Sequence, residues 1–553
     1  MAGMLATAAW HCFLAMGALH GYRVIASSIP AKPHIIAIII DDWGWNNFSY
    51  HSRKNANRAE VKTPNLEKLA NRGVVLDRHY VACICTPSRS AFQTGRTPLH
   101  VTVDNGDLAK YNPDDPISGF VGIPVPMTGI AEKLRTAGYR THFAGKWHAG
   151  GSSRGQIPKA RGYSRSLAYL ASGNNQWTYA DGQAMCSKGV SLIDLWEDDG
   201  PAVNYKPPKR CTSTTQNGCE YEDSLFEARV SQTIQFHDQD QPLFLVWATH
   251  AVHSPLAPVN DLMDEFSFIT DNPNRQKYNA AVKDIDMRVG RLVQTLQDTG
   301  MWSNTLIVVV ADNGGPTSRD GGASNYPLRG GKYGTLEGGI RGNAFVSGGF
   351  LPRAMRGKVL SGLVAIEDWY TTFCALAGVD PTDTKAASFG LPPVDGLDMW
   401  QYISGANDTS PRTEVVSGIQ RNAGIAAPQV VIDQQGYKLM VGKVKSADWS
   451  EQIGPTATTP VTSKLSVLDC GSADMTYPYP NACLFNIFAD PGERTNIAAQ
   501  SPEIVARLAL RLQALALTAF SPDRGRTPAD KNTAPACINS RTNLAGYVGP
   551  FLA

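Results

Sequence analysis

The stretch His34-Ile35-Ile36-Ala37-Ile38-Ile39-Ile40-Asp41-Asp42 decides the fold. Its unbroken β-branched run has no polar side to turn to water, so it reads as a strand buried on both faces, the habit of a parallel sheet. Two further runs have the same character, Leu243-Phe244-Leu245-Val246-Trp247-Ala248 and Leu306-Ile307-Val308-Val309-Val310. Helical patterns lie between them. Thr63-Pro64 opens one that Gly73 closes, and Thr128 and Gly138 bracket another. Tyr278, Ala281, Val282, Ile285, Val289, Leu292, Val293 and Leu296 fall on one face of a long helix stopped by Gly300. Strands alternating with helices predict an α/β sheet covered on both sides.

Ligands of such sheets bind beyond the carboxyl ends of the strands. Each of the three apolar runs ends in polar residues: Asp41-Asp42, Thr249-His250-Ala251-Val252-His253 and Asp312-Asn313-Gly314-Gly315. Asp41, Asp42, Asp312 and Asn313 offer oxygen alone, a donor set suited to Ca²⁺ or Mg²⁺ rather than zinc or copper. Taken singly, an Asp pair after a strand is also a helix cap, and Asp-Asn-Gly-Gly is also a turn.

A fourth stretch, Cys85-Thr86-Pro87-Ser88-Arg89, continues as Ser90-Ala91-Phe92-Gln93-Thr94-Gly95-Arg96. Pro87 suits the first position of a helix and Gly95 its end. Cys85 is then expected just before a helix N-terminus, where free N–H groups and the dipole favour an anion. Cys83 reads as structural. The 553 residues carry a net charge of only +2, so no global field gathers nucleic acid or a membrane surface, and an anionic substrate must be held by local cations.

The length predicts two domains. Residues 1–27 read as a secretory signal, with apolar Met4 to Trp10 and Phe13 to Met16. Residues 28–405 read as the catalytic domain, Ser404 to Arg412 as a polar linker, and 412–553 as a smaller domain. That smaller domain is expected to hold Val430-Val431-Ile432 and Tyr437 to Val441 as antiparallel strands, a helix from Pro502 to Phe520, and an extended arm over 521–540. No later stretch has 18 apolar residues, so no membrane span is expected. Ten cysteines in an oxidising compartment predict disulfides. Cys470 is expected to pair with Cys483, and Cys186 with Cys211 or Cys219; Cys374 reads as a free core residue and Cys537 has no evident partner. Asn47 and Asn407 head glycosylation sequons.

Cys85-x-Pro87-Ser88-Arg89 resembles the signature of the type I sulfatases, whose cysteine is oxidised to formylglycine. Gly145-Lys146-Trp147-His148-Ala149-Gly150, His253-Ser254-Pro255-Leu256, Asn325 to Lys332 and Leu336 to Gly342 resemble further blocks of that family. Within it the chain is most similar to arylsulfatase B, an N-acetylgalactosamine-4-sulfatase, through Asp41 to Asn46, Pro158-x-x-Arg161-Gly162-Tyr163, the Asp395 block and Leu484 to Arg494. The resemblance implies an alkaline-phosphatase-like fold, a large mixed, mostly parallel sheet flanked by helices with a smaller antiparallel sheet and helix. It implies a Ca²⁺ or Mg²⁺ site built from Asp41, Asp42, Cys85, Asp312 and Asn313. In the roles it carries over, Arg89 stabilises the formylglycine and the metal carboxylates, Lys146 contacts the bridging oxygens and His148 takes up the proton that drives release. His253 contacts substrate and protonates the leaving group, Lys332 binds a sulfate oxygen, and His250, Arg329 and Arg341 are structural. Ala365 and Ser164 depart from the family pattern, as does the cysteine-free loop 104–126. None of these falls in the catalytic set.

The activity expected is hydrolysis of sulfate monoesters on aryl groups or sugars, in the secretory pathway, extracellular or lysosomal. The expected partners are a sulfated small molecule or glycan and, during maturation, a formylglycine-generating enzyme, with no nucleic acid. Two alternatives stay open: a phosphate or phosphonate monoester hydrolase of the same superfamily, and an inactive sulfated-glycan binder.

Overall fold

The computed structural model describes residues 32–101, 106–182, 185–187, 189–422, 425–471 and 481–552. The expected secretory signal lies outside them. Ten strands form the main sheet: β1 (His34–Ile40), β2 (Val74–Leu76), β3 (Arg140–Lys146), β4 (Arg165–Tyr169), β5 (Trp196–Glu197), β6 (Gly200–Pro201), β7 (Leu243–Ala248), β8 (Thr305–Ala311), β9 (Ala344–Ser347) and β10 (Lys358–Leu360). Their order across the sheet is β10-β2-β9-β8-β1-β7-β3-β4-β5-β6. The five central strands β8, β1, β7, β3 and β4 are parallel, and β9, β5 and β6 run antiparallel to their neighbours.

Alternate residues of β1 enter two different cores, as a strand covered on both faces requires. Ile35, Ala37 and Ile39 pack with Phe244, Val246, Val308 and Val310. They lie against α2 (Cys85–Thr94), α3 (Ile130–Thr136) and α6 (Asp368–Ala377), which supply Phe92, Leu134 and Phe373. Ile36, Ile38 and Ile40 pack with Leu245, Trp247, Ile307 and Val309 on the other side. There they meet α1 (Pro64–Asn71), α4 (Glu222–Gln235) and α5 (Pro273–Asp298) through Leu66, Phe226 and Tyr278. The apolar ladder predicted for the long helix is the buried face of α5, which Asn272 caps at its start.

Register matters most for function. Ile39 stands opposite both Ala248 of β7 and Val310 of β8, and Gly145 of β3 stands opposite Ala248. The central strands therefore end level with one another. Asp41, Lys146, Thr249 and Asp312 emerge at one edge.

The smaller sheet is antiparallel, β11 (Glu414–Asn422), β12 (Ile425–Asp433), β13 (Tyr437–Met440) and β14 (Cys483–Asn486), in that order. One face packs on α7 (Pro502–Ala516) through Val431, Leu439, Leu484, Leu508 and Leu512. The other packs on Tyr80, Leu336 and Ile340 of the catalytic part. At that contact Lys438 is fully buried, 3.0 Å from Glu337 and 2.9 Å from Glu493. Burial raises Glu493 to about 7 against the pull of Lys438.

Several expectations need correction. The helix that carries the signature begins at Cys85, two residues earlier than Pro87 suggests, because Ile84 is extended and Cys85 is already helical. Cys186 pairs with Cys537, 351 residues away, and Cys211 pairs with Cys219. Local spacing could not reveal a bridge that depends on the C-terminal arm folding back. Cys470 does pair with Cys483, and Cys374 is free and buried. The end of the expected extended arm, 521–540, is helical instead, in α8 (Pro535–Thr542). Arg412, at the end of the polar linker, is buried against Asp368. Asn47 has no room for a glycan: it is 1% exposed, its Nδ2 donates to Asn279 Oδ1 (3.1 Å) and its Oδ1 accepts from Ser324 N (2.7 Å). Asn407 is exposed.

Lys438→Met removes the cation between two buried carboxylates, so it is expected to cost about 3–5 kcal/mol in urea unfolding. Losing the ammonium removes the pull that opposes burial at Glu493, so that carboxyl rises further. A carboxyl whose folded pKa exceeds its unfolded value loses stability as pH rises, so the deficit is expected to be larger at pH 8 than at pH 5.

Candidate active site

Asp41 leaves β1 in line, and Asp42 turns into the left-handed region at φ 56°. Successive residues of a strand point to opposite faces; the turn at Asp42 brings two adjacent carboxylates to one place. Ligand atoms of Asp41, Asp42, Cys85 and His253 lie within 4.8 Å of one another. Cys85 Sγ, at the first residue of α2, is 3.5 Å from Asp41 Oδ1. From β8, Asp312 Oδ1 accepts from the Asp42 N–H (3.2 Å), and Asn313 Nδ2 donates to Asp42 Oδ1 (2.7 Å). Tyr278 of α5 fixes the turn: its hydroxyl donates to the Asp42 carbonyl (2.6 Å) and accepts from Gly44 N (3.0 Å).

Three cations surround these carboxylates. Lys146 Nζ is 2.6 Å from Asp41 Oδ2 and Lys332 Nζ is 2.8 Å from Asp42 Oδ2. Arg89 donates from Nε to Asp312 Oδ2 (2.9 Å) and from Nη1 to the Lys146 carbonyl (2.8 Å), so one guanidinium ties α2 to β3 and to the residue after β8. Lys146 reaches Asp41 because Gly145 lets β3 press on β7; a Cβ at Gly145, where φ is 110°, would sit 1.6 Å from the Ala248 carbonyl oxygen.

The electrostatics follow from burial. Burial works to raise Asp41, yet Lys146, Arg89 and Lys332 outweigh it and hold the carboxyl well below its ordinary value. Burial raises Asp42, and burial with the Asp41 charge raises Asp312 to about 7. The Cys85 thiol is pushed up to about 12 by burial and Asp41. Asn313 Oδ1 is buried and has no hydrogen-bond partner among the described residues. An orphaned amide oxygen beside carboxylates at 0–2% side-chain exposure fits an oxygen-coordinated divalent cation, with Asp41, Asp42, Asp312 and Asn313 as donors.

Two histidines flank the cluster. His253 Nδ1 lies 2.6 Å from the Ser254 carbonyl oxygen and donates to it, which leaves Nε2 toward Asp42 Oδ2 at 3.8 Å. His148 Nε2 pairs with Thr86 Oγ1 at 2.7 Å, one residue from Cys85, while its Nδ1 is buried without a partner among the described residues. Burial, then Lys146 and other neighbouring cations, push both imidazoles well below their ordinary value, so they stand neutral. His250 faces Glu222 instead. Arg341 binds Asp77, and Arg329 lies over the Trp449 ring, so neither guanidinium reaches the cluster.

Three contributors escaped the sequence reading. Asp223, at the start of α4, accepts from the backbone N–H groups of His250 and Ala251 (both 2.9 Å) and so fixes the loop that carries His253. Gln176 Nε2 donates to the His253 carbonyl (3.2 Å). Thr86 orients His148. An acidic residue in a first helical turn looks like a cap, so nothing in the sequence marked Asp223.

The family model described as Sulfatase matches residues 33–379. The chain belongs to the sulfatase family. It is 32% identical to mouse arylsulfatase J over 92% of this chain and 84% of that protein, and 29% identical to pig N-acetylgalactosamine-6-sulfatase over 72% and 70%. The solved structure of Ps i-CgsB in complex with k-i-k-neocarrahexaose superposes with a TM-score of 0.68 at 24% identity, covering 92% of this chain and 97% of that one. This sulfatase is a sulfuric ester hydrolase with an alkaline-phosphatase-like fold and a smaller antiparallel C-terminal sheet. No helix among the described residues is long and apolar enough to cross a membrane.

Cation binding is expected to stabilise the fold, by about 2.7 kcal/mol at a hundredfold excess over Kd. Dialysis against EDTA should lower Tm, and CaCl₂ or MgCl₂ should restore it. Asn313→Ala should raise the half-restoring cation concentration about tenfold. A Tm indifferent to EDTA and added cation would contradict the donor assignment.

Proposed function

We propose that this sulfatase hydrolyses sulfate monoesters of sugars through a formylglycine made from Cys85. The observation that carries this reading is the placement of Cys85 Sγ at the first turn of α2, inside the group formed with Asp41, Asp42 and His253. The sulfur stands where the two oxygens of a hydrated formylglycine would lie. A maturing enzyme must oxidise the thiol before the chain folds over it, since Cys85 is 0% exposed.

The chemistry then balances in two displacements. One hydroxyl of the hydrate attacks sulfur and the bond from sulfur to the alcohol oxygen breaks. The proton of this hydroxyl is released to water, and His253, which takes a proton from water at Nε2 once the substrate anion is bound, gives it to the departing oxygen, so the proton count is unchanged. Burial first, then the Lys146 and Lys332 charges, keep His253 neutral, and an incoming anion offsets the two lysine charges. The second hydroxyl passes its proton to His148, the bond from carbon to the sulfate oxygen breaks, the aldehyde returns and water rehydrates it. A serine at this position would lack that second hydroxyl and stop as a sulfated enzyme. In this reading Lys146 and Lys332, which pair with Asp41 and Asp42, hold sulfate oxygens, and Arg89 holds the carboxylates in register. A divalent cation on Asp41, Asp42, Asp312 and Asn313, when bound, supplies Lewis-acid polarisation at the reacting oxygen.

The sugar class is supported by relatives whose names include N-acetylgalactosamine-6-sulfatase and by a superposable structure that holds neocarrahexaose. N-Acetylgalactosamine 4-sulfate, the substrate of arylsulfatase B, is one member of that class. Three disulfides and an exposed Asn407 sequon support passage through the secretory pathway, to the cell exterior or a lysosome.

Peptide mass mapping of active protein is expected to find an aldehyde in place of the Cys85 thiol. Cys85→Ala and Cys85→Ser should release no sulfate while keeping the wild-type Tm; an unmodified Cys85 in active protein would sink the mechanism. The matured enzyme should turn over p-nitrophenyl sulfate faster than p-nitrophenyl phosphate. The reverse preference would favour a phosphate monoesterase.

A further inference from the structure

From Gly330 to Arg341 every residue is buried except Tyr333, which is 46% exposed. Its backbone is held at φ 75°, a region that a bulky side chain seldom adopts. Strain of this kind persists only where the surroundings enforce it. Here the Tyr333 N–H donates to the Cys83 carbonyl (2.8 Å), two residues before the nucleophile position. The next residue, Gly334, tolerates no side chain, because a Cβ would fall 2.1 Å from the Lys445 carbonyl oxygen. The loop is thus pinned on both sides of one outward ring.

That ring stands at the mouth of the site. Its centroid is 5.4 Å from Lys332 Nζ, and the same nitrogen is 2.8 Å from Asp42 Oδ2. An ester whose sulfate is held at the buried level of Lys332 must direct its carbon framework outward, past Tyr333. Burial raises the phenol above its ordinary value, so its hydroxyl stays a neutral donor and acceptor. A rigid ring with one polar tip matches a pyranose, which presents an apolar C–H face edged by hydroxyls.

Building on the sugar-sulfatase reading, we propose that Tyr333 is the platform on which the sulfated sugar ring stacks, and that it sets specificity for the sugar rather than for the sulfate. Tyr333→Gly tests this, because glycine accepts the positive φ and removes the ring without forcing the loop. KM for a sulfated monosaccharide drawn from N-acetylgalactosamine 4-sulfate, N-acetylgalactosamine 6-sulfate and galactose 4-sulfate should rise about tenfold or more. Inhibition by inorganic sulfate should weaken less than twofold, since sulfate does not reach the ring. Tyr333→Trp should recover most of the lost affinity. If Tyr333→Gly leaves the sugar KM within twofold, or weakens inorganic sulfate as much as the sugar, the platform role is overturned while the parent reading stands. If the wild-type enzyme releases sulfate from p-nitrophenyl sulfate and from none of the sugars, the sugar reading fails and the platform with it.

Discussion

Three carboxylates sealed from water at one sheet edge, Asp41, Asp42 and Asp312, impose the constraint that organises this molecule. Buried charge is tolerable only when it is paired and hydrogen-bonded. Arg89, Lys146 and Lys332 supply the counter-charge, and each comes from a different part of the chain: α2, β3 and the loop after β8. The site cannot assemble until all three have arrived, so correct packing of the sheet and completion of the active site are one event. Under the proposed function, a sulfate ester would meet cations that the carboxylates already hold in place.

Much of this was legible in sequence, for physical reasons. A strand covered on both faces has no polar side, so β1, β7 and β8 announced themselves as apolar runs. Their ends, and hence Asp41, Asp42 and Asp312, followed from where the runs stop, while the choice of His253 over His250 came from the resemblance of His253-Ser254-Pro255-Leu256 to a known motif. Lys146, Arg89 and Lys332 have no such signature; only the resemblance to known motifs singled them out. The start of α2 was misplaced by two residues because Pro87 is compatible with any position in the first turn, where a missing N–H costs nothing. Cys186–Cys537 was illegible because 351 residues separate its two halves, and the helix of the C-terminal arm that presents Cys537 has a weak pattern of its own. Asn47 shows the converse failure. Its sequon is a perfect local match, yet its amide is committed to Asn279 and Ser324 by tertiary contacts.

The cysteine itself illustrates how much the site asks of its nucleophile. A reactive thiolate is made by lowering the pKa with nearby cations or a helix N-terminus. Cys85 has both, yet burial and the Asp41 charge outweigh them and push the thiol up to about 12. The surroundings that receive a sulfate are therefore hostile to a thiolate in the form the gene encodes. The proposed conversion of Cys85 to a hydrated aldehyde would avoid this conflict, since a neutral hydroxyl pair replaces the thiol.

The C-terminal sheet belongs in this account as well. Its inner face packs on Leu336 and Ile340. The Glu337 N–H donates to Glu493, and Lys438 joins both carboxylates. Arg341 then ties the same segment to Asp77 and lies over the Trp45 ring at 4.8 Å. The segment that carries Lys332 and Tyr333 is thus gripped between the two sheets. Its two side chains face different tasks: Lys332 points inward to the carboxylates, and Tyr333 outward to whatever carries the sulfate. A change in the small sheet would move both together, so it would alter anion binding and the mouth of the pocket at once. Change confined to the Tyr333 ring would leave the inner machinery where it is, which makes this position a natural place for relatives with one chemistry to diverge in substrate.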